Sequence, residues 1–327
     1  MDFTIARESV ERLTEYWADS GNGLKWGSIF VLPQWLKVWW QSFQPEDEQY
    51  IAVVRQQKRV IGIAPLRIKD GQARFIGSQD VCDYQDFVVV PGREADFFTV
   101  LLDEIKQQGI AGLHLGLVRP DSTVATSLAT LAKNRGYQVM NQRDDVTLEL
   151  ELPSSWEEYL DGLEKKQRHE VRRKLRRLWA GDNVTYRCHK VSPGETAVLT
   201  DTFLRLFVLS RQEKSEFMTE RMQSFFRSLA ETMAYLGLLR YGTLEVEGNP
   251  AAMIMGFDYE QSMYLYNSSY DPRYTSLSVG VLSKVLCIKE SISRSMKKWD
   301  FLKGAERYKY HLGGSEVPLY DYHIALQ

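Results

Sequence analysis

The chain carries three cysteines in 327 residues, Cys82, Cys188 and Cys287, widely spaced and without a CxxC pair. That scarcity excludes a disulfide-framed secreted domain and a thiolate zinc site, and it suits reduced thiols. The five histidines, at 114, 169, 189, 311 and 323, lack HExxH or any comparable spacing, so no metal is expected. His114 lies in an apolar strand pattern and reads as a core histidine. Net charge is close to zero, at -2, which excludes global steering toward nucleic acid or membrane. No apolar run approaches the length that spans a bilayer. The start, Met1-Asp2-Phe3-Thr4, lacks the layout of a signal peptide, and the expected location is cytoplasmic. A GxSxG elbow, a Walker loop and a GxGxxG turn are all missing, which removes support for hydrolase-triad, P-loop and dinucleotide readings.

What is present describes a globular protein of two domains: 44% hydrophobic and 26% charged residues over a length too great for one ordinary core. Aromatics cluster, with Trp35, Trp39 and Trp40 in one segment and Tyr259, Tyr264, Tyr266, Tyr270 and Tyr274 in another. Such rings favour cores and cleft walls, and core packing is the reading for most of them.

The two halves repeat one order of elements. Tyr50 to Val54, Val60 to Leu66 and Ala73 to Ile76 read as strands, followed by the acidic loop Asp83-Tyr84-Gln85-Asp86, a strand at Phe87 to Val90, a helix near 94–108 capped by Gly109, and a strand at Leu113 to Leu117. Leu238 to Tyr241, Ala251 to Phe257 and Met263 to Tyr266 repeat the strands. The Tyr270-Asp271-Pro272 loop, a helix over 278–297 and a strand ending at Leu302 follow. Each half closes on a last strand, Val146 to Leu150 and Leu319 to Leu326. A meander followed by helix and strand, made twice, predicts an α+β fold from duplication, with units 1–152 and 153–327.

Three segments carry candidate chemistry. Residues 164–177 form a basic helix whose apolar stripe is Leu163, Gln167, Val171, Leu175 and Leu178; it reads either as a docked surface helix or as a phosphate contact. Ser278, Val279 and Gly280 open the 278–297 helix, where free N–H groups and the helix dipole favour an anion. Asp300, Gly304, Glu306, Tyr308 and Lys309 follow a buried strand, and carboxylate plus phenol is material for proton transfer.

Tyr270-Asp271-Pro272, Leu277-Ser278-Val279-Gly280, the long helix, Trp299-Asp300-Phe301-Leu302-Lys303-Gly304 and Glu306-Arg307-Tyr308-Lys309-Tyr310 together resemble the CelD-type acetyltransferases. That family belongs to the GNAT superfamily, is linked with cellulose and exopolysaccharide synthesis, and is similar to the FemABX peptidyltransferases. The likeness covers roughly 30–325 and is strongest over 264–313. It implies two tandem GNAT-like units and acyl transfer from acyl-CoA or acetyl-CoA, without metal, to an amine or hydroxyl of a sugar or cell-envelope precursor. It further implies Asp300 or Glu306 as base, Tyr308 as acid, and Asp83, Tyr84, Asp86, Tyr270 and Lys309 as substrate contacts. Ser278, Val279 and Gly280 would receive the carrier's phosphates. The family often has proline where Val279 stands, and a full GNAT pyrophosphate loop is absent. Two alternatives therefore stay open: an aminoacyl-tRNA donor, or a non-catalytic module that binds polysaccharide or RNA.

Overall fold

Alternating apolar patterns joined by tight turns give antiparallel hairpins in both halves of the chain. The computed structural model describes residues 2–181 and 183–326. It divides into two compact units, Met1–Val146 with Val317–Gln327, and Thr147–Glu316.

In the first unit β1 (Phe3–Glu8), β2 (Glu48–Gln56), β3 (Arg59–Lys69) and β4 (Gln72–Phe75) form an antiparallel meander, and the short β5 (Val88–Val89) pairs with β3. Then β6 (Gly112–Val118) runs parallel to β4, paired at Gln72↔Gly112 and Ala73↔Leu113. The near-continuous apolar run of β3 is explained by burial: every residue from Val60 to Leu66 is enclosed. Helix Glu94–Gln107 supplies Phe97, Phe98, Leu101, Leu102 and Ile105 to the core. It lies so close to β3 that a Cβ on Gly62 would stand 2.3 Å from the Phe97 ring, so only glycine fits there. Trp35 and Trp39 are buried and donate to Cys82 Sγ (3.3 Å) and Ser78 Oγ (3.2 Å).

The second unit repeats this order with β8 (Val184–Lys190), β9 (Leu239–Val246), β10 (Asn249–Tyr259) and β11 (Ser262–Tyr270) as the meander. Its parallel strand is β12 (Lys298–Lys303), paired with β11 from Ser262↔Lys298 to Tyr264↔Asp300. The long helix covers Val279–Ser293, shorter than the 278–297 expected, because the backbone leaves helical space at Arg294 and turns left-handed at Ser295. Sequence distance also misleads for the thiols: Cys188 on β8 and Cys287 on that helix lie 3.4 Å apart, both free.

The closing strands depart from the expectation that each half ends on its own. β13 (Ser315–Ala325), from the end of the chain, pairs antiparallel with β6 in the first unit, Ile324 against Leu113. In the second unit β12 is closed by the later part of β7 (Gln138–Glu151), with Thr147 to Glu151 against Lys303 to Lys298. Each sheet is thus completed by the strand that follows the other unit's core in sequence. Composition could not reveal this, because both closing strands have the same alternating pattern. Tyr322, Ile324 and Leu326 are buried in the first unit's core. Ile324→Ala should therefore cost about 2–4 kcal/mol, and amide exchange should rise in β6 while β12 stays protected. Loss of protection in β12 instead would contradict the exchange of strands.

Candidate active site

The second unit's parallel pair separates where its register ends. Past Tyr264↔Asp300, β11 continues to Tyr270 along β10, while β12 turns away. The cause is a bulge in β12: its register with β7 shifts between Asp300 and Leu302, and Leu302, buried, has φ 61°. A left-handed leucine is unfavourable and needs its surroundings to hold it. Asp300 does so. It is buried, and its Oδ1 accepts the Leu302 N–H at 2.8 Å and the Thr147 hydroxyl at 3.3 Å.

Directly after β12 the chain turns at Gly304, φ 104°, where a Cβ would lie 2.7 Å from Glu306 Oε2. A short helix, Arg307–His311, follows. Lys309 is buried, and its Nζ donates to the carbonyls of Leu302 (2.8 Å), Lys303 (2.6 Å) and Gly304 (3.0 Å) and pairs with Glu306 at 2.9 Å. That ammonium caps the turn, and its hydrogen bonds are taken up within the protein. Glu306 keeps 56% of its side chain exposed. Tyr308 packs edge-on to Phe301, and its phenol is pushed above the ordinary range by burial and then by the Glu306 charge. It stays protonated at neutral pH and can donate.

Helix Val279–Ser293 lies beside this turn, with Lys284 against the Tyr308 ring. Ser278 is left-handed (φ 58°), and the N–H groups of Val281 and Leu282 return to its carbonyl. Among the described residues, neither the Val279 nor the Gly280 N–H has a backbone acceptor outside the helix. A Cβ on Gly280 would lie 3.1 Å from the Tyr270 ring, so this glycine makes room for Tyr270 as well as for any anion. Tyr270 is fixed through Ser210, whose Oγ receives its N–H at 2.8 Å and donates to its carbonyl at 2.9 Å.

Two lysines here were not singled out from the sequence. Lys284 is buried, donates to Gly280 O at 2.7 Å, and holds its Nζ 4.8 Å from the Tyr308 ring centre. Burial, followed by the charges of Lys214, Arg211 and Lys309 against that of Glu306, brings it down to about 7. Lys214 donates to Ser268 O and is brought to about 8 by burial and Arg211. A signal was available: Lys284 is the one charged residue from Val279 to Ile288, in a stretch apolar enough to be buried all round.

In the first unit, Tyr84 is buried between the Phe30 ring and the Arg119 guanidinium. Asp86 accepts the Thr123 N–H and hydroxyl, both at 2.7 Å, and the Phe87 N–H at 2.9 Å. Its carboxylate is enclosed although the residue as a whole is half-buried. Desolvation pushes it up to about 6 against those hydrogen bonds. Tyr84 and Asp86 line a pocket of about 210 Å³ with Lys25 and Arg119, whereas Asp83 is half-buried beside it in sequence. The loop residues are therefore assembled in the first unit, and Asp300, Glu306, Tyr308, Lys309, Tyr270 and Ser278–Gly280 in the second.

The basic helix, Lys165–Trp179, docks through Val171 and Leu178 against helix Val279–Ser293. Part of its charge is matched: Arg168 pairs with Asp161 and Arg173 with Glu170, each at 2.8 Å.

Residues 165–310 match the acetyltransferase (GNAT) domain family. No curated protein matches the sequence. Among solved structures, the chain is similar to FemX, with 10% identity, a TM-score of 0.64, and 98% of this chain and 96% of that one covered. It is also similar to the C-terminal domain of a putative lysylphosphatidylglycerol synthetase from Agrobacterium fabrum (9% identity, TM-score 0.56, 88% and 91% covered). A third is a tandem GNAT protein from the clavulanic acid biosynthesis pathway (13% identity, TM-score 0.51, 99% and 98% covered). The fold is thus GNAT-like and tandem, as the duplicated strand order implies. Among the described residues no helix is long and apolar enough to cross a membrane.

The buried lysine generates a stability test. Unfolded, Lys284 returns to the ordinary 10.5, whereas folded it titrates at about 7. Between those values the unfolded chain binds more protons, so stability rises with pH, and below pH 7 the folded state bears the full burial penalty. Lys284→Met should raise Tm at pH 6 by about 5 °C or more, and the gain should shrink toward pH 10. A lower Tm at pH 6 would show that the ammonium is compensated in the fold.

Proposed function

We propose that the second unit is an acyltransferase that moves an acyl group from acyl-CoA, acetyl-CoA in the simplest case, to an amine or hydroxyl of a sugar or cell-envelope precursor. The observation that carries this reading is the pairing of an accessible Glu306 with a protonated Tyr308 at the turn that follows β12, with Lys284 Nζ 4.8 Å from the Tyr308 ring centre. The residues suit the carrier: the N–H groups of Val279 and Gly280, the helix dipole and the cations Lys214 and Lys284 all favour phosphate. Bound there, an acyl thioester supplies an activated carbonyl.

The chain's own residues then divide the proton work. Glu306 is the accessible carboxylate and takes the proton from the attacking amine or hydroxyl as its bond to the acyl carbon forms. Tyr308 gives its proton to the departing sulfur as the carbon–sulfur bond breaks. Asp300 is a positioning residue in this scheme, since its carboxylate is occupied by the bulge. Lys309, committed to three carbonyls, orders the turn. Tyr84 and Asp86 line a pocket of the first unit and are kept as candidate substrate contacts, and the association with exopolysaccharide or cellulose synthesis belongs to this proposal.

The unpaired part of the basic helix favours a second donor, aminoacyl-tRNA, whose phosphates it would contact. Thermal shift separates the two. A donor at about a hundred times its Kd should stabilise by about 2.7 kcal/mol. Acetyl-CoA or a longer acyl-CoA giving that shift supports the first reading. A shift with tRNA alone, lost steeply with added salt and in Arg176→Glu/Arg177→Glu, replaces it with the second. With the donor in hand, Tyr308→Phe and Glu306→Gln should each lower kcat by about 10²-fold. Near-normal turnover in both would overturn the assignment.

A further inference from the structure

The polar face of the first unit's sheet carries a cluster that the acyl-transfer scheme does not use. Along β6, Leu113 and Leu115 face the core and His114 faces away; along β13, Tyr322 and Ile324 face the core and Asp321 and His323 face away. His114 and His323 are direct partners across the two antiparallel strands, and their rings stack with centroids 4.0 Å apart. The bulge in β6 places two residues, Gly116 and Leu117, opposite Asp321, so the register shifts between Tyr320 and Tyr322. Asp321 is thereby brought alongside both imidazoles. His114 Nε2 lies 2.9 Å from Asp321 Oδ1 and 3.0 Å from Oδ2, and His323 Nε2 lies 3.1 Å from Oδ2.

We propose that His114, Asp321 and His323 bind a divalent transition-metal ion. Two imidazole nitrogens and a carboxylate on one face form the three-ligand set that leaves coordination positions open. The spacing suits it: two ligands each about 2.1 Å from one ion at right angles stand about 3.0 Å apart, as the nitrogens and oxygens do here. A second observation points the same way. Asp321 Oδ1 is buried and accepts no hydrogen bond among the described residues, although His114 Nε2 is close by. A buried carboxylate oxygen left without a donor is costly, and a cation coordinated at this point would satisfy it. The side chains of His114 and His323 remain 26% and 43% exposed, so an ion has a way in. His114 also lines a pocket of about 210 Å³ shared with Arg67, Gln79 and Gln85, into which the open positions can accept water or an anionic oxygen ligand. Sequence spacing could not show this site, because His114 and Asp321 are 207 positions apart.

The test uses the full-length chain, stripped with chelator and titrated with Co²⁺, read by calorimetry and by visible absorption. One ion per chain is expected, with affinity at least tenfold weaker in Asp321→Asn and in His323→Ala, and unchanged in the Cys188→Ser/Cys287→Ser double variant. His323 is exposed enough that its alanine variant should keep the wild-type circular dichroism and melting curve, so a loss of binding there reports ligation. Absence of saturable binding, or binding that persists in both Asp321→Asn and His323→Ala, would overturn the proposal and leave the carboxylate as a hydrogen-bond acceptor for two histidines. Neither outcome bears on Glu306 and Tyr308.

Discussion

The left-handed backbone at Leu302 is the constraint on which the second unit's site depends. A bulge there ends the parallel pairing of β11 and β12 and leaves main-chain groups that no neighbouring strand can satisfy. Buried peptide groups without partners are costly, and the chain supplies the partners from two charged side chains of opposite sign. Asp300 receives the Leu302 N–H, while Lys309 donates to the carbonyls of Leu302, Lys303 and Gly304. Of the four candidate residues Asp300, Glu306, Tyr308 and Lys309, two thus hold a distorted strand end in place. The other two, Glu306 and Tyr308, are presented by it.

The first unit has the same distortion without that support. Leu117 in β6 is also left-handed, at φ 53°, beside a register shift. Two residues before it stands Leu115, buried in the core, where the second unit has Asp300 two residues before Leu302. One duplicated backbone irregularity has therefore been put to two uses. In the second unit it opens the strands next to a helix start and a group of cations. In the first it sets Asp321 beside two histidines.

Much of the fold was legible in the sequence because hydrophobic alternation and turn residues report on local structure. The meanders, the parallel strand after each helix and the tandem order follow from them, while the GNAT-like identity of the units came from the family resemblance. The exchange of closing strands was not legible: Val146 to Leu150 and Leu319 to Leu326 have interchangeable patterns, and partner choice is a long-range property. For the site, the block from Asp300 to Lys309 was visible as a group of ionisable residues. Its division into supports of the strand end and the proposed reactive pair was not, since spacing does not show which way Lys309 turns. The cluster of His114, Asp321 and His323 was invisible for the same reason, as strand pairing alone brings it together.

Lys284 shows how the physics of burial can be turned into a functional argument. An ammonium taken from water into a packed helix is among the more costly groups a fold can hold, and it loses its proton readily as a result. Its neighbours Leu282, Val285 and Ile288 are buried and apolar, so the charge at this position stands out. A lysine whose charged form is disfavoured by burial is one whose charge a bound anion would restore. An anion seated over Val279 and Gly280 would do this, drawing the proton back onto Lys284 and meeting a full positive charge one turn behind the helix start. In the proposed donor complex the same lysine would serve two states: readily deprotonated in the free protein, and charged beneath a bound phosphate. The cost of burying it is thereby linked to ligand binding, and this is the physical reason to place the donor's phosphates at this end of the helix.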